Sequence, residues 1–337
     1  MLDVASFYPS PPPVISVVVP AFNEADGIAF FHRRLAGVMQ ALGAWEAVYV
    51  NDGSTDGTLA ALHALRRGDP HVAIVNLSRN FGKEIATTAG LDHAQGDAVV
   101  VIDADLQDPP ELIPALVKAW QQGFDTVYAQ RRVRLGETRL KRATAAVFYR
   151  LMRRLGRVEL PPNTGDFRLM SRRVVDAVRQ LREQHRFMKG VFAWVGFPSC
   201  AVPYDRAPRH AGETKWSYWK LWNLALEGIT SFTVMPLKVA TYLGLAVALM
   251  AVIYAAQVVV KTLLIGNPVA GYPSLMTVVL FLGGVQLMTL GVIGEYLGRV
   301  FNETKQRPLY FAERFEPCQF APSPLERSRA AEQIDGA

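Results

Sequence analysis

The stretch Ala98-Val99-Val100-Val101-Ile102-Asp103-Ala104-Asp105-Leu106-Gln107-Asp108 decides how this chain is read. An uncharged, β-branched run of this kind is a buried strand, and it ends in two carboxylates one residue apart. Working outward, Val14–Val19, Ala47–Val50, Val72–Asn76 and Thr126–Ala129 read as further strands. Asp26–Leu42, Asp56–Arg67, Lys83–Ala94 and Pro110–Gln122 read as helices between them. Asp56 is placed to cap the second helix, and Pro109 and Pro110 suit the first turn of the fourth. Strands alternating with helices of this length imply βαβ units and a mainly parallel, Rossmann-like α/β sheet covered on both faces. Ligands of such sheets sit at the carboxyl ends of the strands. The polar clusters fall there: PAFNE after the first strand, NDGSTDGT after the second, SRNFGK after the third and DADLQD after the fourth.

The chain has 337 residues, 50% of them apolar, and a formal net charge of +6, which points to an anionic partner. From Arg131 to Arg157 there are ten Arg or Lys residues against one acid, Glu137. That run lies just upstream of the hydrophobic region, which favours a membrane face or a phosphate-bearing lipid over nucleic acid. Two cysteines, Cys200 and Cys318, make no disulfide framework and fit a reducing compartment. The first 13 residues lack the basic and apolar regions of a signal peptide and read as an extended lead-in.

A catalytic domain is expected over residues 14–214. Its later part contains a helical periodicity over Ala143–Leu155, a polar turn PPNTGDFR and a helix Ser171–Leu181. Lys215–Ile229 sets Trp and Leu against Lys, so residues 215–237 read as an interfacial amphipathic region. Val239–Val260 and Pro273–Gly294 are uncharged; about 20 residues at about 1.5 Å each span a ~30 Å hydrocarbon core. Residues 238–300 are therefore expected to form two transmembrane helices, with Lys238 and Lys261 snorkelling at the edges. Gly266–Tyr272 carries no charge, whereas Lys215, Lys220 and Lys238 precede the first span and Arg299, Lys305 and Arg307 follow the second. The positive-inside rule places both termini in the cytosol and the connector outside. Residues 301–337 read as a cytosolic tail, disordered from Glu313 onward.

Asp103 and Asp105 can both face one crevice, and hard oxygen ligands of this kind suit Mg²⁺ or Mn²⁺ bridging a diphosphate. A D-x-D by itself is common at strand ends. Asp52 can accept from a ribose hydroxyl or a base N–H, Gly53 and Gly57 permit tight turns, and Pro20, Asn23 and Glu24 form a third wall. Together these clusters describe a nucleotide-diphosphate pocket with a metal.

PAFNE, NDGSTDGT, DADLQDPPE and TGDFRLMSR, in this order, resemble the inverting glycosyltransferases of GT-A fold, in the polyprenyl-phosphate branch. That branch holds the dolichol-phosphate mannose synthases and the bactoprenol glucosyltransferases. The resemblance covers about residues 14 to 300, and the segment from Trp194 to Phe232 is most similar to the latter. It implies Asp103, Asp105 and Gln107 at a Mg²⁺ or Mn²⁺ ion, with Pro20, Glu24, Asp52 and Asp103 on the nucleotide sugar. It places Asp166 and Arg168 near the acceptor, as catalytic residues with Asp105. Arg131, Arg142 and Lys215 are implied at the acceptor phosphate. The partners implied are a nucleotide sugar, a polyprenyl phosphate lipid and the bilayer of the inner (plasma) membrane. A homo-oligomer, a flippase and a downstream membrane glycosyltransferase fit the same reading, and nucleic acid does not.

The reaction expected is a single inverting displacement, in which the lipid phosphate oxygen attacks the anomeric carbon as UDP departs. Glucose is the first choice of sugar; GlcNAc, an amino-arabinose derivative and mannose from GDP stay open. A lipid phosphate is mostly dianionic at neutral pH, so a base at Asp166 would matter only as pH falls, and Asp166→Asn is expected to lose more kcat at pH 6 than at pH 8. A metal-dependent phosphohydrolase leaves NDGSTDGT unexplained. A processive polysaccharide synthase calls for Q-x-x-R-W, of which QHRF at Gln184–Phe187 is the nearest string, and for further spans. A non-catalytic scaffold or nucleotide sensor sits poorly with an intact acidic pair. His185 and His210 read as surface residues and Cys200 as a packed thiol.

Overall fold

A computed structural model describes residues 14–132, 161, 164–184, 186–205, 235–265 and 271–319. They divide into two compact units, one built on an α/β sheet and one on a pair of long helices.

The sheet unit follows the expected alternation: β1 Ile15–Ala21, α1 Ile28–Met39, β2 Trp45–Asn51, α2 Thr58–Gly68, β3 Val72–Leu77, α3 Lys83–His93, β4 Ala98–Val101, α4 Ile113–Gln121 and β5 Thr126–Arg131. Pro110–Leu112 forms a single 3₁₀ turn that leads into α4, so the fourth helix begins later than the prolines suggested. Asp56 serves α2 from one residue outside its cap: its Oδ1 accepts from the Thr58 amide at 3.0 Å.

In the polar turn expected at PPNTGDFR, Thr164–Arg168 instead start a strand, β6 Thr164–Ser171, which is followed by α5 Arg172–Gln180, α6 Met188–Trp194 and β7 Ser199–Tyr204. β6 runs antiparallel between β4 and β5, with Arg168 opposite both Val101 and Tyr128. Burial on both sides overrides the poor strand propensity of Gly165 and Asp166.

The full order is β7-β5-β6-β4-β1-β2-β3-β8, and β6 and β8 are its antiparallel members. β8, Ala312–Glu316, lies in the segment expected to be disordered from Glu313. It pairs with the exposed edge of β3, Ile74 opposite Glu316, and takes up backbone groups that edge would otherwise leave unpaired. Asn76 donates to Glu313 at 2.8 Å and Arg66 pairs with Glu316 at 3.2 Å.

Helices cover both faces of the sheet. α1 turns Ile28, Phe31, Leu35 and Met39 onto Ile15, Val17 and Val19, a helical period meeting a strand period. On the opposite face α3 approaches so closely that a Cβ on Gly90 would stand 2.2 Å from Val18 Cγ1. Gly53, at φ +61°, lies against the backbone of Arg79 and Asn80, with only 2.3 Å for an added Cβ. Gly53→Ala is expected to cost more than about 2 kcal/mol in unfolding free energy. Gly37→Ala, with nothing within 4 Å of the added carbon, should be neutral or stabilising. Equal denaturation midpoints for the two variants would contradict this packing.

The second unit contains α7 Met235–Ile265 and α8 Tyr272–Thr304, of 31 and 33 residues, which pack against each other. Phe281–Thr304 has the length and composition of a membrane span, with mean hydropathy 1.2, and Val239–Tyr254 forms a shorter apolar stretch in α7. Leu245, Leu249, Ile253, Leu275, Leu287 and Leu297 are all exposed, a pattern that a helix in water does not sustain. Glu295 and Arg299 pair at 3.1 Å one turn apart near the end of α8. The expected helix Ala143–Leu155, the interfacial region up to residue 234, the connector 266–270, His185 and His210 lie outside the described residues.

Candidate active site

The strand-end clusters meet at the carboxyl edge of the parallel strands. The loops after β1 and β2 are stitched together: Ser54 Oγ accepts from the Asn23 amide at 3.0 Å, Thr58 Oγ1 from the Glu24 amide at 2.8 Å, and Asn23 Oδ1 from the Thr55 amide at 2.9 Å. Pro20 ends this wall beside Val50. Asp52 is buried, and burial raises its pKa while two amide bonds oppose that shift. Those bonds come from Phe81 at 2.7 Å and Gly82 at 2.9 Å, one to each carboxylate oxygen. Asp52 therefore anchors the loop after β3, besides lying where a nucleotide was expected.

That loop delivers Lys83, the first residue of α3, to the centre of the site. Its Nζ donates to Asp103 Oδ2 and to Asp166 Oδ2, each at 2.7 Å. Asp103 lies two residues beyond the end of the parallel strand β4 and Asp166 lies on the antiparallel strand β6, so one ammonium joins residues 63 positions apart. Burial works to raise Asp166, but the charges of Lys83 and Lys189, with the Lys83 hydrogen bond, hold it well below the usual carboxylate range. Asp166 Oδ1 is buried and accepts no hydrogen bond from the described residues.

Glu84, next along α3, accepts from the Met188 amide at 3.2 Å. Burial, with the charge of Asp166, pushes its carboxyl up to about 7 from 4.5. The folded chain thus keeps a proton on Glu84 between those values that the unfolded chain releases, so stability falls as pH rises across that window. Glu84→Gln is expected to raise Tm relative to wild type at pH 8 and to leave little difference near pH 4.5. A Tm difference independent of pH would show that the proton is not there.

Arg168 is 6% exposed; it donates to the Gly165 carbonyl at 3.0 Å and lies 4.1 Å from the centre of the Phe192 ring. Burial brings its pKa down to about 10, which still leaves it charged at neutral pH. It lines a cavity of about 240 Å³ together with Tyr128, Thr164, Phe187, Lys189 and Phe192. Arg131 faces inward: its Nε donates to Tyr204 Oη at 3.2 Å, and Tyr204 donates to buried Asp108, which Arg131 Nη2 approaches to 3.9 Å. Arg142 and Lys215 lie outside the described residues.

Asp105 Oδ1 accepts from the Gln107 amide at 3.1 Å, which curls the D-x-D segment on itself, and Leu106 takes φ +59° to allow it. Among the described residues no three His, Cys, Asp or Glu side chains gather as a metal site of their own. Two carboxylates completed by diphosphate oxygens and water are nevertheless what Mg²⁺ asks of a protein. Positive charge from Lys83 already rests against Asp103. The donor set of Asp103, Asp105 and Gln107 fits a hard divalent ion.

Sequence reading assigned no role to Lys83, Glu84, Asp108, Lys189 or Tyr204. Lys83 and Asp108 carried a signal as the last residues of the third and fourth strand-end clusters, and Lys83 also opens a helix, where the dipole disfavours a cation.

Known proteins match this arrangement along most of the chain. Residues 16–179 match the model of glycosyl transferase family 2, and residues 235–300 match that of the GtrB C-terminal hairpin. An uncharacterized glycosyltransferase of Synechocystis sp. is 54% identical over 91% of this chain and 97% of its own length. The bactoprenol glucosyl transferase of Shigella phage SfV is 52% identical over 88% of this chain and 97% of its own. A prophage bactoprenol glucosyl transferase homolog of Escherichia coli is 50% identical over 89% and 98%. With its sheet, its strand-end carboxylates and its apolar helical hairpin, the chain belongs to the family 2 glycosyltransferases that carry the GtrB C-terminal hairpin.

Proposed function

We propose that this enzyme transfers glucose from UDP-glucose to a polyprenyl (bactoprenol) phosphate, with inversion, at the cytosolic leaflet of the plasma membrane. The observation that carries the reading is the meeting of Asp103 and Asp166 on Lys83, which sets the strand end suited to a sugar diphosphate beside the carboxylate expected at the acceptor. Identity of about half to bactoprenol glucosyl transferases, extending through the hairpin, supports the lipid and the sugar. The lipid phosphate oxygen forms the new bond to the anomeric carbon as the bond to UDP breaks, and the electron pair leaves on the diphosphate. A Mg²⁺ or Mn²⁺ ion on Asp103, Asp105 and Gln107 would supply the charge that stabilises this leaving group. Pro20, Glu24 and Asp52 would wall in the nucleotide, and Arg131, Arg142 and Lys215 would draw the acceptor phosphate. Washed membranes carrying the protein, given a panel of labelled nucleotide sugars, should put label from UDP-glucose into the organic phase. Preference for another sugar, or no lipid product, would overturn the assignment.

The cytosolic placement rests on the basic residues that flank the helical pair, and the sheet supports a common side for both flanks. β8 follows α8 in sequence yet shares a sheet with β1, which supports placing both segments that flank the helical pair on one side of the membrane. In a Cys200→Ala, Cys318→Ala background, Ala270→Cys should react with an impermeant thiol reagent from outside intact cells. Labelling only after lysis would refute the two-span topology.

A further inference from the structure

We infer that Lys83 is the residue that receives the phosphate monoester of the acceptor beside Asp166, through the third N–H of its ammonium. The inference rests on the transfer proposed above and adds a residue to it. An ammonium carries three donors. Two are spent on Asp103 and Asp166; among the described residues the third has no acceptor, and the side chain is 45% exposed. The third donor is therefore left available at the ammonium that joins the two carboxylates.

The placement makes little sense as a device for stability. A lysine at the first position of α3 sits at the positive end of the helix dipole, and a local rule broken at a strand-end crevice is a mark of function. The backbone that carries it is over-determined. Asp52 grips the two amides just before it, and Gly53 lies against the residues before those. Nζ is thus delivered to one place from the nucleotide side of the site.

Chemistry requires a cation at that place. A phosphate dianion approaching Asp166 meets two carboxylates whose repulsion grows as water is excluded. A cation bonded to both neutralises that barrier, and its remaining donor gives the phosphate oxygen a charge-assisted hydrogen bond. No bond to the lysine forms, and no proton needs to move. Lys189 and Arg168 also act on Asp166 by charge, and among the described residues Lys83 is the cation hydrogen-bonded to its carboxylate.

The test uses the full-length protein in detergent, as wild type, Lys83→Met and Lys83→Arg. UDP affinity is measured by equilibrium dialysis with Mn²⁺, transfer kinetics with polyprenyl phosphate, and inhibition of transfer with inorganic phosphate. Lys83→Met should lower kcat/KM for the lipid by about 100-fold, expressed mainly in KM, and should lose inhibition by inorganic phosphate. UDP affinity should stay within about threefold, and Lys83→Arg should recover at least a tenth of the lost efficiency. Unchanged lipid KM and phosphate inhibition would overturn the inference. So would a loss of UDP affinity as large as the loss of lipid efficiency, because Lys83 would then serve the donor through Asp103. If wild type glucosylates no polyprenyl phosphate, the proposed reaction fails by itself. Direct dialysis of labelled inorganic phosphate against wild type and Lys83→Met then still decides whether Lys83 holds a phosphate.

Discussion

Asp166→Asn is expected to lower kcat by at least about 100-fold, and by the same factor throughout pH 6 to 8.5, roughly the span between the ordinary His and Cys pKa values. The reason lies in its partner. A carboxyl held well below its usual range by Lys83 and Lys189 is ionised throughout that window and has little appetite for a proton. It is poorly suited to act as a general base. The expectation from sequence, a larger loss at pH 6, rested on a base that takes the proton from the monoanionic lipid phosphate. With Lys83 bonded at 2.7 Å, a positioning role would make the loss flat with pH. The second oxygen of Asp166 is buried and accepts no hydrogen bond from the described residues. Asparagine keeps the shape but removes the charge that holds Lys83. A loss that deepens at low pH would restore the base; near-wild-type rates at every pH would remove Asp166 from the site.

Chelation after washing, and separately Asp105→Ala, should each reduce transfer by about 10³-fold or more, because the departing diphosphate loses its counter-charge. Asp105 is the more informative carboxylate to remove. It accepts from the Gln107 amide and is not bonded to Lys83, so its loss leaves the Lys83–Asp166 pair intact. Mn²⁺ added in excess should restore the chelated wild type fully and Asp105→Ala at most in part. Full activity in EDTA would end the metal assignment for Asp103, Asp105 and Gln107.

Local pattern was enough for much of this protein. A run such as Val99–Val101 has one stable fate, burial in a sheet, and alternation with amphipathic helices leaves a doubly covered α/β sheet as the arrangement that buries both faces. The strand-end clusters followed from that arrangement, since the ends of parallel strands converge on one edge. The apolar stretches 239–260 and 273–294 were equally legible as helices, and each lies within one of the two long ones. Three features were not local. β6 looks like a turn in sequence, because Gly165, Asp166 and Arg168 are poor strand formers; its conformation comes from the backbone partners that β4 and β5 offer on either side. β8 is a short charged segment that becomes a strand only because β3 has an open edge. The bond from Lys83 to both Asp103 and Asp166 depends on a parallel and an antiparallel strand lying side by side, a juxtaposition that no window of neighbouring residues contains. Hydrophobic period dictates which segments are buried; the pairing of strands distant in the chain decides which charges meet.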